Sequence, residues 1–380
     1  MERIYLDNAA TTPMHPKVIE EMLTVMQSHF GNPSSIHSFG RESRKLLDDS
    51  RLVLAKSIGA KPNDILITSG GTEADNTAII GVAEANKHRG RHIITTAIEH
   101  HAVLHTCSFL EKQGYDVTYL QVDESGKICL DDLKRALRED TILVTIMYGN
   151  NEVGTMQEII EIGSMLQEHG AFFHTDAVQA YGIVPIDVKE LGVDLLSVSS
   201  HKINGPKGIG FLYVKEGVKL TPLLYGGEQE KKRRAGTENI PGIVGFAKAA
   251  ELAYEAIEVK VESYLSFKRR MIDIFMEEEI PFSVNGDTKS ALPHVLNISF
   301  PGTNVEAMLV NLDLAGIAVS SGSACTAGSI DPSHVLVAMF GKGSEQTMNS
   351  IRFSFGMNNT MEHVEKAARE TSKIVKRLIR

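Results

Sequence analysis

Short apolar runs rich in β-branched residues recur through the first two thirds of the chain, and stretches with helical spacing lie between several of them. The runs are Asp64-Ile65-Leu66-Ile67-Thr68, His92-Ile93-Ile94-Thr95-Thr96, and residues 141–148, 171–175, 194–198 and 209–214. Each suits a buried strand and is too short for a buried helix. Residues 73–87, 102–113, 130–138 and 158–168 instead place apolar side chains three and four apart, the spacing of one helix face. Strands alternating with helices require crossover connections, so an α/β fold is predicted, with a mostly parallel central sheet flanked by helices.

Near Pro241 this alternation stops. A long Ala- and Glu-rich helical stretch runs to about Glu279, followed by shorter strand-like runs and a charged amphipathic helix from Met361. The change predicts a smaller C-terminal α+β domain. Residues 1–14 read as extended, with Pro13 and Pro16 as breakers, and are expected to cross back to it. The expected division is therefore 15–255 for the large domain, and 1–14 with 256–380 for the small one. A chain of 380 residues accommodates two or three such units at roughly 150 residues each.

Composition narrows the function classes. No uncharged apolar run reaches the ~18 residues of a membrane span, and the opening MERIYLDNAATTP has no basic segment followed by an apolar one, so a cytoplasmic protein is expected. A formal net charge of -9 makes nucleic acid a poor direct ligand. The basic run Lys231-Lys232-Arg233-Arg234 reads as a solvated loop in preference to an anion or partner contact. Cys107, Cys129 and Cys325 are far apart and form no CxxC, which excludes a disulfide framework. Cys107 and Cys129 read as small core hydrophobes. Cys325 sits in Ser320-Ser321-Gly322-Ser323-Ala324-Cys325-Thr326-Ala327-Gly328-Ser329, a run of small and polar residues, and reads as a nucleophile on a loop.

Three further segments carry chemistry. Thr68-Ser69-Gly70-Gly71-Thr72-Glu73 takes a strand through glycines into a helix, which suits either a phosphate cradle or a helix cap. In Phe173-His174-Thr175-Asp176-Ala177-Val178-Gln179, an acid follows a buried strand; it suits a partner for a pyridinium nitrogen or an ordinary cap. In Ser199-Ser200-His201-Lys202, a lysine follows an apolar strand, where partial desolvation frees an amine to form an imine with an aldehyde. Cradle, acid and lysine stand in the chain order expected for pyridoxal phosphate.

With these segments in view, the sequence resembles bacterial cysteine desulfurases of the NifS/IscS type, in the class-V aminotransferase superfamily of fold-type I pyridoxal phosphate enzymes. The resemblance spans Tyr5-Leu6-Asp7-Asn8-Ala9-Ala10-Thr11-Thr12, Gly31-Asn32-Pro33-Ser34-Ser35, Ser69 to Glu73, Glu99-His100, Asn150-Asn151-Glu152, His174 to Gln179, Ser200-His201-Lys202, Gly236-Thr237, the Cys325 loop and Ile351-Arg352-Phe353-Ser354. The long loop around Cys325 resembles the subgroup serving iron–sulfur cluster assembly and tRNA thiolation. The resemblance implies that L-cysteine is converted to alanine, leaving a persulfide on Cys325 for an acceptor protein. It implies that Lys202 carries the cofactor, Asp176 faces the ring nitrogen, Gln179 faces the phenolic oxygen, and His100 stacks on the ring and assists proton transfer. Gly71, Thr72, Ser199 and His201 would hold the phosphate, joined by Thr237 from the neighbouring subunit of a homodimer. Arg352, with Asn32 and Asn151, would hold the substrate carboxylate, Asn151 also lying by the cofactor.

Other readings carry less. His101 and His105 lie four apart, but Glu99-His100 completes no HExxH and no third ligand is evident, so no metal is expected. Gly205, Gly208 and Gly210 form GxxGxG before a strand, unlike a dinucleotide fingerprint. A non-catalytic scaffold would not need Lys202, Asp176 and Cys325 together. A transaminase would not need Cys325, whereas a selenocysteine lyase would.

Overall fold

Alternating strands and helices do build the centre of the molecule, for which a computed structural model describes residues 3–322 and 332–379. After the short β1 (Ile4–Tyr5) come β2 (Ile65–Thr68), β3 (His92–Thr96), β4 (Asp116–Leu120), β5 (Thr141–Thr145), β6 (Phe172–Asp176), β7 (Leu195–Ser199) and β8 (Gly210–Val214). From β2 onward these form one sheet in the order β2-β8-β7-β6-β5-β3-β4. The strands from β7 to β4 pair in parallel, and β8 runs antiparallel to both β7 and β2.

Burial on both faces explains why most of these strands read as unbroken apolar runs. Along β7, Leu195 enters the core beneath one face while Leu196 and Val198 enter the core on the other. Strand β4 was not among the runs anticipated from sequence. It lies at the sheet edge with Asp116 exposed and only Leu120 fully buried, so it lacks an apolar run.

The helices preceding and covering the sheet are α1 (Pro16–Ser28), α2 (Ser38–Lys56), α3 (Gly71–Asn86), α4 (His101–Lys112), α5 (Leu130–Ala136) and α6 (Ile159–His169). Ala74, Ala78 and Val82 of α3 pack on Leu66, Leu143 and Leu212. The stretch expected to be one long helix is two: α7 (Ile240–Glu255) and α8 (Ile257–Glu277) meet at Ala256, whose φ of -109° interrupts the helix. The reason lies in packing. Helix α7 is buried against α1 and α2, whereas α8 packs on the C-terminal helix through a stripe of Tyr264, Phe267, Met271 and Ile274 in the same continuous core.

Next to α8 lies a smaller antiparallel sheet of β9 (Ser283–Asn285), β10 (Val295–Ser299) and β12 (Ser350–Ser354), while β11 (Ile317–Ala318) pairs in parallel with β1. The remaining helices are α9 (Val305–Leu314), α10 (His334–Phe340), α11 (Gln346–Asn349) and α12 (Met361–Leu378). The N-terminal segment thus crosses back. Ser354 N–H donates to the Leu6 carbonyl (2.7 Å), and the Ser354 hydroxyl accepts from Ala9 N–H (2.8 Å). Among the described residues, no helix is long and apolar enough to cross a membrane.

Two expectations need correction. Cys129 is exposed, because it is the residue before α5 while its neighbour Ile128 packs inward. The basic run is only half solvated: Lys231 and Lys232 are exposed, but Arg234 turns in to pair with Glu73 (2.8 Å), and Arg233 donates to the Asn63 carbonyl (3.1 Å). Replacing Ser354 by Ala leaves the buried Ala9 N–H without its acceptor, which costs about 1–3 kcal/mol. Denaturant unfolding should show a lower midpoint, and an unchanged midpoint would contradict this account of how the N-terminal segment is held.

Candidate active site

The carboxyl ends of β5, β6 and β7 and the start of α3 surround a cavity of about 370 Å³. Ligands of open α/β sheets bind at such strand ends. A larger cavity of about 920 Å³ lies between α2 and residues 228–238. Arg51 and Glu230 pair in it (2.5 Å), and among the described residues it has no glycine-walled helix start beside a buried lysine and acid. The smaller cavity gathers a lysine, two histidines, two aspartates and an arginine.

Local sequence explains each wall. Strand β2 passes through Gly70, whose φ of +149° only glycine adopts comfortably, into α3. A Cβ on Gly71 would stand 2.8 Å from the Val178 side chain, so glycine lets helix and turn close together. Gly71 and Thr72 therefore line the cavity with the first turn of a helix, whose N–H groups lack partners within it. The Ser/Thr cap alternative does not hold: the N-cap is Gly70, with no side-chain cap bond, and Glu73 instead accepts from Ser69 N–H (2.7 Å) just ahead of the helix. At the end of β6, Asp176 accepts from Val178 N–H (2.9 Å). Past β7, Ser199, His201 and Lys202 complete this side.

Lys202 Nζ donates to the carbonyls of Ala9 (2.5 Å) and Ala10 (2.9 Å). Both acceptors are neutral. Burial, reinforced by Arg352, lowers the ammonium to about 8, while Asp176 and Asp7 oppose the shift. Gln179 donates from Nε2 to the same Ala9 carbonyl (2.9 Å). His100 caps α4, its Nδ1 accepting from Ala102 N–H (3.1 Å), and burial lowers its pKa. On the far side, Arg352 donates to the Asn151 carbonyl (2.9 Å) and pairs with Asp7 (2.7 Å), while its Nε is buried without a partner.

Behind Asp176 lies a buried polar layer. His174 bridges the hydroxyls of Thr145 (2.8 Å) and Ser197 (2.9 Å), and burial pulls it down to about 3, so the ring is neutral. Burial and then the Asp176 charge raise Asp75 well above the ordinary carboxylate range. Burial also lifts Glu99 to about 8, against donors from Thr96 and Met147. Burial raises Asp176 too, but His100 and the Val178 N–H oppose it. Of the three carboxyls, Asp176 is the one with the Lys202 amine beside it, a neighbour that favours its ionised form against burial.

The structure thus brings together Gly71, Thr72, His100, Asn151 and Asp176 with Gln179, Ser199, His201, Lys202 and Arg352. It does not bring Asn32 or Thr237 to this cavity. Both are exposed, and Asn32 Oδ1 accepts from Ser34 N–H (2.9 Å). Cys325 lies outside the described residues. Sequence reasoning assigned no role to Asp7, Asp75 or the Ala9 and Ala10 carbonyls. Asp75 carried a signal, being an acid one position from Ala74 on the otherwise apolar, buried stretch of α3; the carbonyls carried none.

The aminotransferase class-V family model matches residues 4–367, and the chain belongs to that family of pyridoxal phosphate enzymes. It is 62% identical over 378 residues to IscS 1 of Bacillus subtilis (strain 168), covering 100% of both chains. It is 50% identical to the cysteine desulfurase IscS of Methanosarcina thermophila, covering 99% of this chain and 92% of the relative. A solved NifS-like protein superposes with a TM-score of 0.93 at 36% identity, covering 99% of this chain and 100% of the other. Within its family the chain is a cysteine desulfurase, with the fold-type I architecture.

The cavity fits the cofactor on its own terms: a half-buried amine of lowered pKa, a buried carboxylate, a glycine-walled helix start and an unpartnered guanidinium N–H share one space. Because only the neutral amine attacks an aldehyde, cofactor-free protein should capture free pyridoxal phosphate faster as pH rises through about 8, then level off. Stopped-flow absorbance reads this. A rise centred near 10.5, the value of an unburied lysine, would show that burial does not tune Lys202.

Proposed function

We propose that Lys202 holds pyridoxal phosphate in this cavity and moves the substrate proton, while Cys325 takes the sulfur of L-cysteine. The observation that carries this reading is the Lys202 amine, held on two neutral carbonyls in the same cavity as Asp176. Bound cofactor supplies an electron sink that labilises bonds at the substrate's α- and β-carbons.

The chain's own residues supply the rest. Asp176, ionised at the ring nitrogen, would keep that nitrogen protonated. Gln179 would donate to the phenolic oxygen. Gly71, Thr72, Ser199 and His201 would cradle the phosphate, His201 being neutral because burial and Lys202 bring it to about 4. Arg352, with Asn151 alongside, would clamp the substrate carboxylate with its planar fork. Once substrate has displaced it, Lys202 would take the Cα proton. His100 is neutral with Nδ1 already accepting, so its proton sits on Nε2, available for transfer.

Sulfur leaves by a balanced step. The Cys325 thiolate forms an S–S bond to the substrate sulfur, the Cβ–S bond breaks, and the electron pair left on carbon takes up a proton, so alanine departs. The two cysteines among the described residues suit this role less well: burial pushes the Cys107 thiol up to about 12, and Cys129 does not line the cavity. We assign the sulfur to acceptor proteins of iron–sulfur cluster assembly or tRNA thiolation, and the enzyme to the cytoplasm. Replacing Cys325 by Ala should leave the cofactor's visible absorption intact and abolish alanine release from cysteine. Full turnover in that variant would remove Cys325 from the mechanism.

A homodimer accounts for the two residues outside the cavity. Ile36 is 91% exposed and Phe30 78%, on either side of Asn32, and Tyr225 is 80% exposed in the loop preceding Thr237. Exposed apolar groups in that number mark a protein interface. In the dimer, Thr237 would reach the partner's phosphate and Asn32 would reach a substrate carboxylate. The division at residues 15–255 belongs to the same reading. Ile36→Asp should shift sedimentation from dimer towards monomer, and an unchanged sedimentation coefficient would place the interface elsewhere.

A further inference from the structure

A histidine from the smaller sheet reaches the cavity wall through Gln179. His294 immediately precedes β10, is 5% exposed, and has its Nε2 3.2 Å from Gln179 Oε1. Its position is well held: Phe355 N–H donates to its carbonyl (2.9 Å), and Lys268 Nζ donates to the Leu292 carbonyl two residues earlier (2.6 Å).

The direction of the hydrogen bond follows by elimination. Gln179 gives Nε2 to the Ala9 carbonyl. A carbonyl only accepts, so the amide nitrogen must lie on that side and Oε1 must face His294. An oxygen facing Nε2 requires a proton there. Burial, with Lys268, Lys202 and Arg352 nearby, brings the ring down to about 3, so it carries one proton. That proton is on Nε2, and Nδ1, buried without a partner, is left with its lone pair.

One contact to Ala9 would let the Gln179 amide plane swing about it. A second, on the opposite end, fixes the plane and leaves the remaining Nε2 hydrogen for the cavity. We propose that His294 is a positioning residue that locks the Gln179 amide with its N–H towards the phenolic oxygen of the cofactor; this rests on the role given to Gln179 above. His294 touches neither substrate nor cofactor. Its effect reaches the chemistry only through the amide.

The test reads the cofactor's spectrum in the intact enzyme. A donor on the phenolate stabilises its negative charge, most of all once the adjacent imine proton has left, and so lowers the pH at which the visible band changes. Gln179→Leu should raise that midpoint by about one unit. His294→Leu should raise it by a similar amount, His294→Gln, which keeps an N–H donor, should restore it, and the double variant should move no further than Gln179→Leu alone. A shifted midpoint in Gln179→Leu with an unshifted one in folded, cofactor-loaded His294→Leu would overturn the positioning role and leave Gln179's role standing. An unshifted midpoint in Gln179→Leu would remove both. If His294→Leu does not fold, His294→Met, which also lacks a donor, carries the same comparison. A purely structural histidine would lower the melting temperature without moving the midpoint.

Discussion

The Ala9 carbonyl accepts from the Lys202 ammonium and the Gln179 amide at once, and the rest of the site is arranged around that double contact. Ala9 is buried in an N-terminal segment that the Ser354 hydroxyl and the β1–β11 pairing tie to the smaller sheet. Lys202 and Gln179 come from the turns after β7 and β6 of the large sheet. One backbone oxygen therefore joins three parts of the chain. Because it is neutral, it holds the lysine in place without providing the negative charge that would keep it protonated.

Desolvation does the remaining electrostatic tuning. In a buried site, each unpaired charge is expensive, and groups change protonation before they bear that cost. Lys202 is pulled towards its neutral form, His174, His201 and His294 are neutral, and Asp75 and Glu99 are driven towards their protonated forms. Asp176 is the carboxyl that Lys202 faces, and that neighbour favours its ionised form against the pull of burial. The arrangement selects which carboxyl is ionised by neighbourhood, since all three are equally acidic in isolation to within half a unit.

Much of this was legible in the chain. The parallel strands β3, β5, β6 and β7 stood out because both faces of each are buried, so nearly every side chain had to be apolar or small. Edge strand β4 escaped notice because four of its five residues are at least partly exposed. The break between α7 and α8 was invisible for another reason: Ala256 is a good helix former, and only the different directions of the two packing partners stop the helix there. Gly71, Asp176 and Lys202 stood out because Asp176 ends an apolar strand and the other two follow one by three residues, in turns that the apolar runs lead into. His294 and Asp7 could not, since a lone histidine or aspartate beside a short strand has many uses.

Local pattern therefore determined most of the elements, their order and which residues to look for in a site, because strand, helix and turn preferences act over a few residues. Tertiary structure alone decided which of those groups meet, which are charged, and which turn away. Asp7 and Arg352 are 345 residues apart in the chain yet 2.7 Å apart in the fold, and the pKa of Lys202 depends on burial by segments from both ends of the sequence. Burial and proximity are properties of the packed whole, and no window of sequence contains them.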